Sequence, residues 1–189
     1  FMPGVSFIRA DLMIPGEWQS RIAENDVVIN LAGVNLFQRW NGSIKKSIYD
    51  SRVVSTANII NAFKKGKTKT KTLINASAVG FYGSGGDEEM TELSAAGSDF
   101  LAEVCSAWEK EALMGESKNL RVVILRFGSV FGRDGGAFPV LKKNYRLMLG
   151  GRLGSGKQWF PWIHIDDVTG IVIKAVTDRK MSGAYNCTS

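Results

Sequence analysis

The chain has 189 residues, 44% apolar and 22% charged, with a formal net charge of +6 and only two Cys, four Pro and one His. These values suit one globular domain and exclude collagen and long disorder; no uncharged apolar run nears the roughly 18 residues of a membrane span. Cys105, Cys187 and the single His164 cannot build a disulfide framework or a multi-histidine zinc cage, so no metal is expected and the expected compartment is a reducing cytoplasm.

Phe1 precedes Met2, and no charged-then-apolar targeting segment follows. Residues 5–9 form a short strand candidate and 16–24 a short helix candidate. Residues 26–32 (DVVINLA) give a stronger strand, because a continuous apolar run marks a strand covered on both faces. A long helix is predicted over 44–65, where Ile48, Val53, Ala57, Ile60 and Phe63 recur at helical spacing. Lys64, Lys65, Lys67, Lys69 and Lys71 supply five of the six excess charges. Their companions are Gly66, Thr68 and Thr70 with no aromatic, which points to a solvated loop and not to a nucleic-acid surface. Residues 72–77 are the next strand, and a Gly-rich acidic loop over 80–97 leads to a helix over 98–114 that Ser98 is suited to cap. A further strand follows at 121–126. Strands alternating with helices predict an α/β fold, a doubly wound parallel sheet with crossover helices.

After Phe131 the rhythm changes to a Gly135-Gly136 turn, a helix over 137–149 and a Gly-rich aromatic segment. Residues 131–163 therefore read as an inserted substrate-pocket segment at the carboxyl ends of the strands. Asp166 and Asp167 open a helix over 168–177, where the helix dipole favours negative charge. Residues 184–188 resemble a strand being entered, and both termini read as cuts through a fold. The expectation is a single incomplete domain over 1–189.

Two Gly-rich runs could be mistaken for phosphate loops. Gly151 to Lys157 has the spacing, but Gln158 stands where Ser or Thr must meet magnesium, and no buried strand precedes it. Gly80 to Gly86 follows a strand, yet Asp87, Glu88 and Glu89 come next and would repel a pyrophosphate. The dinucleotide fingerprint G-x-G-x-x-G is absent.

From Asp26-Val-Val-Ile-Asn-Leu-Ala-Gly33 onward the chain resembles the short-chain dehydrogenase/reductase superfamily, in its extended, epimerase-like branch. Arg39-Trp40, Ser51-Arg52-Val53, Ser77-Ala-Val-Gly-Phe-Tyr-Gly83, Asp99-Phe-Leu-Ala, Ala107-Trp108-Glu109, Leu125-Arg126, Gly150 to Gln158 and Trp162-Ile-His-Ile-Asp-Asp167 together resemble one atypical subgroup of NAD(P)-dependent, epimerase-like proteins. The resemblance implies a Rossmann-like sheet binding NAD or NADP, with NADP the more expected. It also implies that the first strand and the pyrophosphate-binding turn precede this chain. Asp11 and Leu12 would contact adenine, or form a plain turn. Leu31, Ala32 and Gly33 would lie along the cofactor ribose, with Ala76 beside the cofactor and Phe127, Gly128, Ser129 and Val130 beneath the nicotinamide. Arg52 stands where many relatives carry Asn; it would grip a phosphate or carboxylate bidentately, or be a surface arginine.

Relatives use a Ser or Thr, a Tyr, and a Lys four residues after it. Here the Tyr and Lys positions fall on Leu101 and Cys105, Ala78 holds the hydroxyl's place and Ser77 stands one residue earlier. The usual triad is absent, and two readings follow. One is an oxidoreductase or epimerase whose proton carriers are drawn from Tyr82, Ser77 and His164. The other is a cofactor-binding sensor or scaffold without turnover, in which those three side chains only pack, bond backbone or adjoin a helix cap. Where nucleotide-sugar epimerases carry an Arg for the diphosphate, this chain has Phe160 within Gln158-Trp159-Phe160-Pro161-Trp162. With Ala78 these residues would face a small apolar or ring-bearing substrate, or the aromatics would seal the sheet edge. Expected partners are that small molecule and, as an open assembly, a second copy in a homodimer; neither nucleic acid nor membrane is expected.

Overall fold

The structure, a computed structural model, describes residues 4–64, 71–133, 135, 137–148, 150–152 and 154–189. In chain order the elements are α1 (Trp18–Glu24), β1 (Val27–Asn30), α2 (Gly42–Lys64), β2 (Lys71–Ala78), a 3-10 turn (Val79–Tyr82) and α3 (Phe100–Leu113). They continue with β3 (Leu120–Phe127), β4 (Ser129–Phe131), α4 (Ala137–Arg146), β5 (Trp162–His164), α5 (Ile165–Thr177) and β6 (Gly183–Cys187). The main sheet has the order β1-β2-β3-β6 with every pair parallel, and β4 pairs with β5 in a small parallel sheet.

Successive residues of a strand point to opposite faces, so a strand buried on both sides must be apolar throughout. Leu73, Val122 and Ile124 face one core with Trp18, Ile59, Ile60 and Ala112 from α1, α2 and α3. Their neighbours Ile74, Val123 and Leu125 face a second core with Ile163, Ala175 and Met181 on the other side. This is the doubly wound arrangement the sequence predicts.

A buried polar seam joins four elements. Asn30 Nδ2 donates to Asn75 Oδ1 at 2.7 Å and to Thr56 Oγ1 at 3.0 Å, and Trp108 Nε1 donates to the same Thr56 oxygen at 2.9 Å. β1, β2, α2 and α3 are thereby fixed in one register, since each buried donor finds its acceptor only in that register.

Four local expectations need correction. Residues 5–9 carry no strand: among the described residues β1 is at the edge of the sheet, and no strand stands beside 5–9 to give that run a ladder. Helix α3 is capped by Asp99, whose side chain accepts from the Ala102 N–H at 2.9 Å, and not by Ser98. Lys71 is buried and opens β2; its ammonium donates to the carbonyls of Ala23 and of Asn25, answering the free acceptors at the end of α1. Lys65, Lys67 and Lys69 lie outside the described residues. The predicted helix over 137–149 ends at Arg146, with residue 149 outside the description.

Candidate functional site

The carboxyl ends of β2 and β3 open into a cleft of about 930 Å³. One wall is the turn and loop from Val79 through Met90, the other runs from Ser155 to Pro161, and Asn186, Thr188 and Ser189 close the end. Gly97 brings the acidic loop back against its own start: its N–H donates to Phe81 O at 2.9 Å, and a Cβ there would lie 2.5 Å from Tyr82 O. Across the cleft, Trp159 Nε1 donates to Asp87 Oδ1 at 2.8 Å. The aromatic wall is continuous below, with Phe131 packed on Phe160, Phe138 and Trp162 at ring-centroid distances of 5.9, 5.7 and 5.6 Å.

Beneath this floor runs a buried charged chain. Arg126 at the end of β3 and Glu109 of α3 are almost fully enclosed and meet side-on, Nε to Oε1 at 2.9 Å and Nη2 to Oε2 at 2.7 Å. Ser77 Oγ donates to Glu109 Oε1 at 2.6 Å. On the other side Arg126 Nη1 donates to Tyr82 Oη at 2.8 Å, and the phenol proton goes on to Asn186 Oδ1 at 2.6 Å. The guanidinium also lies 3.6 Å from the Phe81 ring centroid. Burial alone pulls the Arg126 pKa down, but hydrogen bonds to Glu109 and Tyr82 outweigh it and the net shift is upward. The Asn186 N–H donates to Glu92 Oε1 at 2.8 Å and holds that carboxylate below its usual range.

Of the three proposed proton carriers, Tyr82 lines the cleft, while Ser77 sits below it with its hydroxyl committed to Glu109. His164 stands outside the cleft wall as the N-cap of α5, Nδ1 accepting the Asp166 N–H at 3.2 Å. Gln158, Trp159 and Phe160 line the cleft; Trp162 supports it through Phe131, and Ala78 ends β2 just before the turn. Cys105 is buried, and burial pushes its thiol above the ordinary value.

The proposed cofactor residues fall into three groups. Asp11 and Leu12 form a turn in which Asp11 Oδ1 accepts the Met13 N–H at 2.9 Å and Asn58 anchors the Leu12 carbonyl. Leu31, Ala32 and Gly33 follow β1, with Leu31 exposed, and Ala76 is half-open near the end of β2. Arg52 lies against Gly33. Phe127, Gly128, Ser129 and Val130 form the seam between the two sheets, where the Ser129 N–H donates to Pro161 O and a Cβ at Gly128 would lie 2.9 Å from that oxygen. Among the described residues no group of three or more His, Cys, Asp or Glu side chains could hold a metal ion, and no helix is long and apolar enough to cross a membrane.

Glu109, Arg126 and Asn186 are the site members that residue-by-residue reading missed. The available signal is a Glu on the apolar face of a helix, together with an Arg directly after the apolar run 122–125 of β3.

A doubly wound parallel sheet with a cleft at its carboxyl ends defines a Rossmann-like α/β protein. Residues 2–188 match the NAD dependent epimerase/dehydratase family, and the chain belongs to that family, as an atypical short-chain dehydrogenase/reductase. It is 43% identical over 173 residues to an epimerase family protein of Staphylococcus saprophyticus, covering 91% of this chain and 58% of that relative's length. The human epimerase family protein SDR39U1 (isoform 2), solved with NADPH, superposes with a TM-score of 0.82 at 32% identity, covering 90% of this chain and 60% of that one. A nucleoside-diphosphate sugar epimerase from Corynebacterium glutamicum superposes with a TM-score of 0.83 at 38% identity, covering 100% of this chain and 39% of that one.

Proposed function

We propose that the chain carries part of an NAD(P)(H)-dependent epimerase or oxidoreductase acting on a small, ring-bearing substrate without a nucleoside diphosphate. The NADPH held by the human relative favours NADP(H) for this chain too. The residues present fit such a dinucleotide: Leu31 offers an exposed apolar surface beyond β1, the Arg52 cation lies there against Gly33, and Ala76 keeps the end of β2 low. A bound nicotinamide supplies the hydride exchange. The chain's own residues hold the substrate and a proton. Trp159, Phe160 and Pro161 offer apolar faces to a ring. Tyr82 brings a phenol proton to the cleft wall, its hydroxyl held by Arg126 and aimed at Asn186.

The observation that carries the substrate class is the charge of the cleft wall. Asp87, Glu88 and Glu89 line it, against a single Lys157. A diphosphate there would meet carboxylates, which argues against the substrate named for the corynebacterial relative. The test has two arms: NADPH titration by fluorescence, then incubation with UDP-glucose or with unphosphorylated cyclic ketones, followed by NMR and absorbance at 340 nm. NADPH binding, unchanged UDP-glucose and reduction of a cyclic ketone that Tyr82→Phe abolishes are expected. Epimerisation of UDP-glucose would refute the substrate class; binding without any turnover would leave the sensor or scaffold reading.

A further inference from the structure

Away from the cleft, Arg52 of α2 presents an unusual arrangement. Its neighbour Ser51 accepts the Val34 N–H at 3.0 Å, while Arg52 Nη1 and Nη2 both donate to the Val34 carbonyl at 3.3 Å and Nη1 also donates to Ile48 O at 3.1 Å. The guanidinium lies 5.4 Å from the Trp108 ring centroid. It is thus clamped at its outer end by carbonyls, and among the described residues no carboxylate pairs with it.

An arginine has five N–H donors in a fixed plane, and the Nε and Nη2 hydrogens that share one edge form the fork that grips an oxyanion bidentately. In Arg52 the carbonyl contacts use the Nη1/Nη2 end, so the Nε/Nη2 edge remains. Every fully buried side-chain nitrogen or oxygen among the described residues has a hydrogen-bond partner, so Nε, for which the hydrogen bonds of Arg52 leave none, is not fully buried. The guanidinium can lie here because residue 33 is glycine: a Cβ there would lie 2.8 Å from Arg52 Cζ, 2.9 Å from Nη2 and 3.2 Å from Nε. Gly33 has no positive φ, so its backbone does not demand glycine; the guanidinium does. The pair sits just beyond β1, at the carboxyl end of a parallel sheet, where such folds bind ligands. Burial lowers the pKa of Arg52, a cost that a bound anion would offset.

We infer that the Arg52 edge over Gly33 is an oxyanion fork that takes a phosphate or carboxylate of the bound small molecule. The inference rests on the nicotinamide-dinucleotide reading for its ligand and on the geometry alone for its chemistry. Two sources could supply the oxyanion: a phosphate of the dinucleotide or an acidic group on the substrate.

Calorimetric titration of the chain with inorganic phosphate, NADPH and benzoate, in parallel with Arg52→Met, Arg52→Lys and Gly33→Ala, tests it. Arg52→Met should weaken the responsive probe at least about tenfold, as loss of a charged hydrogen-bond pair does. Arg52→Lys, a point charge without a fork, should fall between. Gly33→Ala places a methyl 2.8 Å from Cζ and 2.9 Å from Nη2, so the guanidinium must shift from its place beside Val34, and binding should weaken with a circular dichroism spectrum unchanged. Loss confined to NADPH and phosphate assigns the dinucleotide as source; loss confined to benzoate assigns the substrate. Equal binding by wild type and both Arg52→Met and Gly33→Ala overturns the inference, as does a wild type that binds none of the three probes. Phosphate binding that depends on Arg52 without any NADPH binding would sustain the fork and refute the dinucleotide reading.

Discussion

Replacing Glu109 by Gln removes one negative charge from a place with no water to replace it. Both partners of the Glu109–Arg126 pair are about 5% exposed, and the carboxylate accepts three hydrogen bonds, two from Arg126 and one from Ser77. The amide of Gln cannot accept all three, and it leaves a buried guanidinium facing a dipole. Removing one partner of such a pair costs about 3–5 kcal/mol. For a chain of this size each kcal/mol moves Tm by about 2–4 °C, so the expected fall is roughly 6–20 °C. Urea unfolding followed by circular dichroism gives the free energy, and an unchanged m-value shows that the comparison is between like states. The double variant Glu109→Leu/Arg126→Met leaves no stranded charge, and should cost less than the two single changes added together. A Glu109→Gln protein within about 1 kcal/mol of wild type, or a double variant as costly as the sum, would sink the reasoning.

Thr56→Val keeps the shape of a fully buried side chain but deprives Asn30 and Trp108 of their common acceptor; a loss of roughly 2–5 kcal/mol in urea unfolding is expected, and less than 1 kcal/mol would mean that the two donors find other partners. Burial pushes the Cys187 thiol from its usual value near 9 up to about 11. The folded thiol therefore stays protonated while the unfolded one ionises, and its contribution to stability, present below pH 9, is lost as pH rises towards 11. Urea unfolding of wild type and Cys187→Ala at pH 8 and 10.5 should show wild type losing more over that interval; parallel losses would contradict it.

The strands were legible because burial on both faces demands a continuous apolar run, as in TLINA and RVVILR; DVVIN has such a run too, yet Ile29 of β1 is 44% exposed, so that strand is not covered on both faces. Long helices were legible for the matching reason, a periodic face. Legibility failed where a residue's role depends on what stands opposite. Lys71 looked like one lysine among five until the carbonyl end of α1 was placed beside it. Residues 5–9 have strand composition, but pairing is a property of the neighbour. Glu109 and Arg126 are 17 positions apart and read as ordinary charges; only the packing of α3 on β3 makes them a pair. The cleft is half legible: Trp159 and Phe160 mark one wall, while the composition of the acidic loop tells that it repels phosphate and not that it faces them. Arg52 is legible as a cation with two roles, while its place against Gly33 is visible only in the fold.

The hydrogen bond from Tyr82 to Asn186 joins residues 104 positions apart. Its two ends enter the fold at different times, because β2 and β3 can pair before β6 is reached, whereas Asn186 arrives only with β6, which follows them in the chain. Contacts between distant segments form late, since a long loop must close before they form. The cleft floor is therefore a reporter of complete folding: a molecule whose β6 has come away would keep its inner strands yet lose the acceptor that orients the Tyr82 proton. Loss of ligand binding should precede loss of helix content when such a chain is gently destabilised.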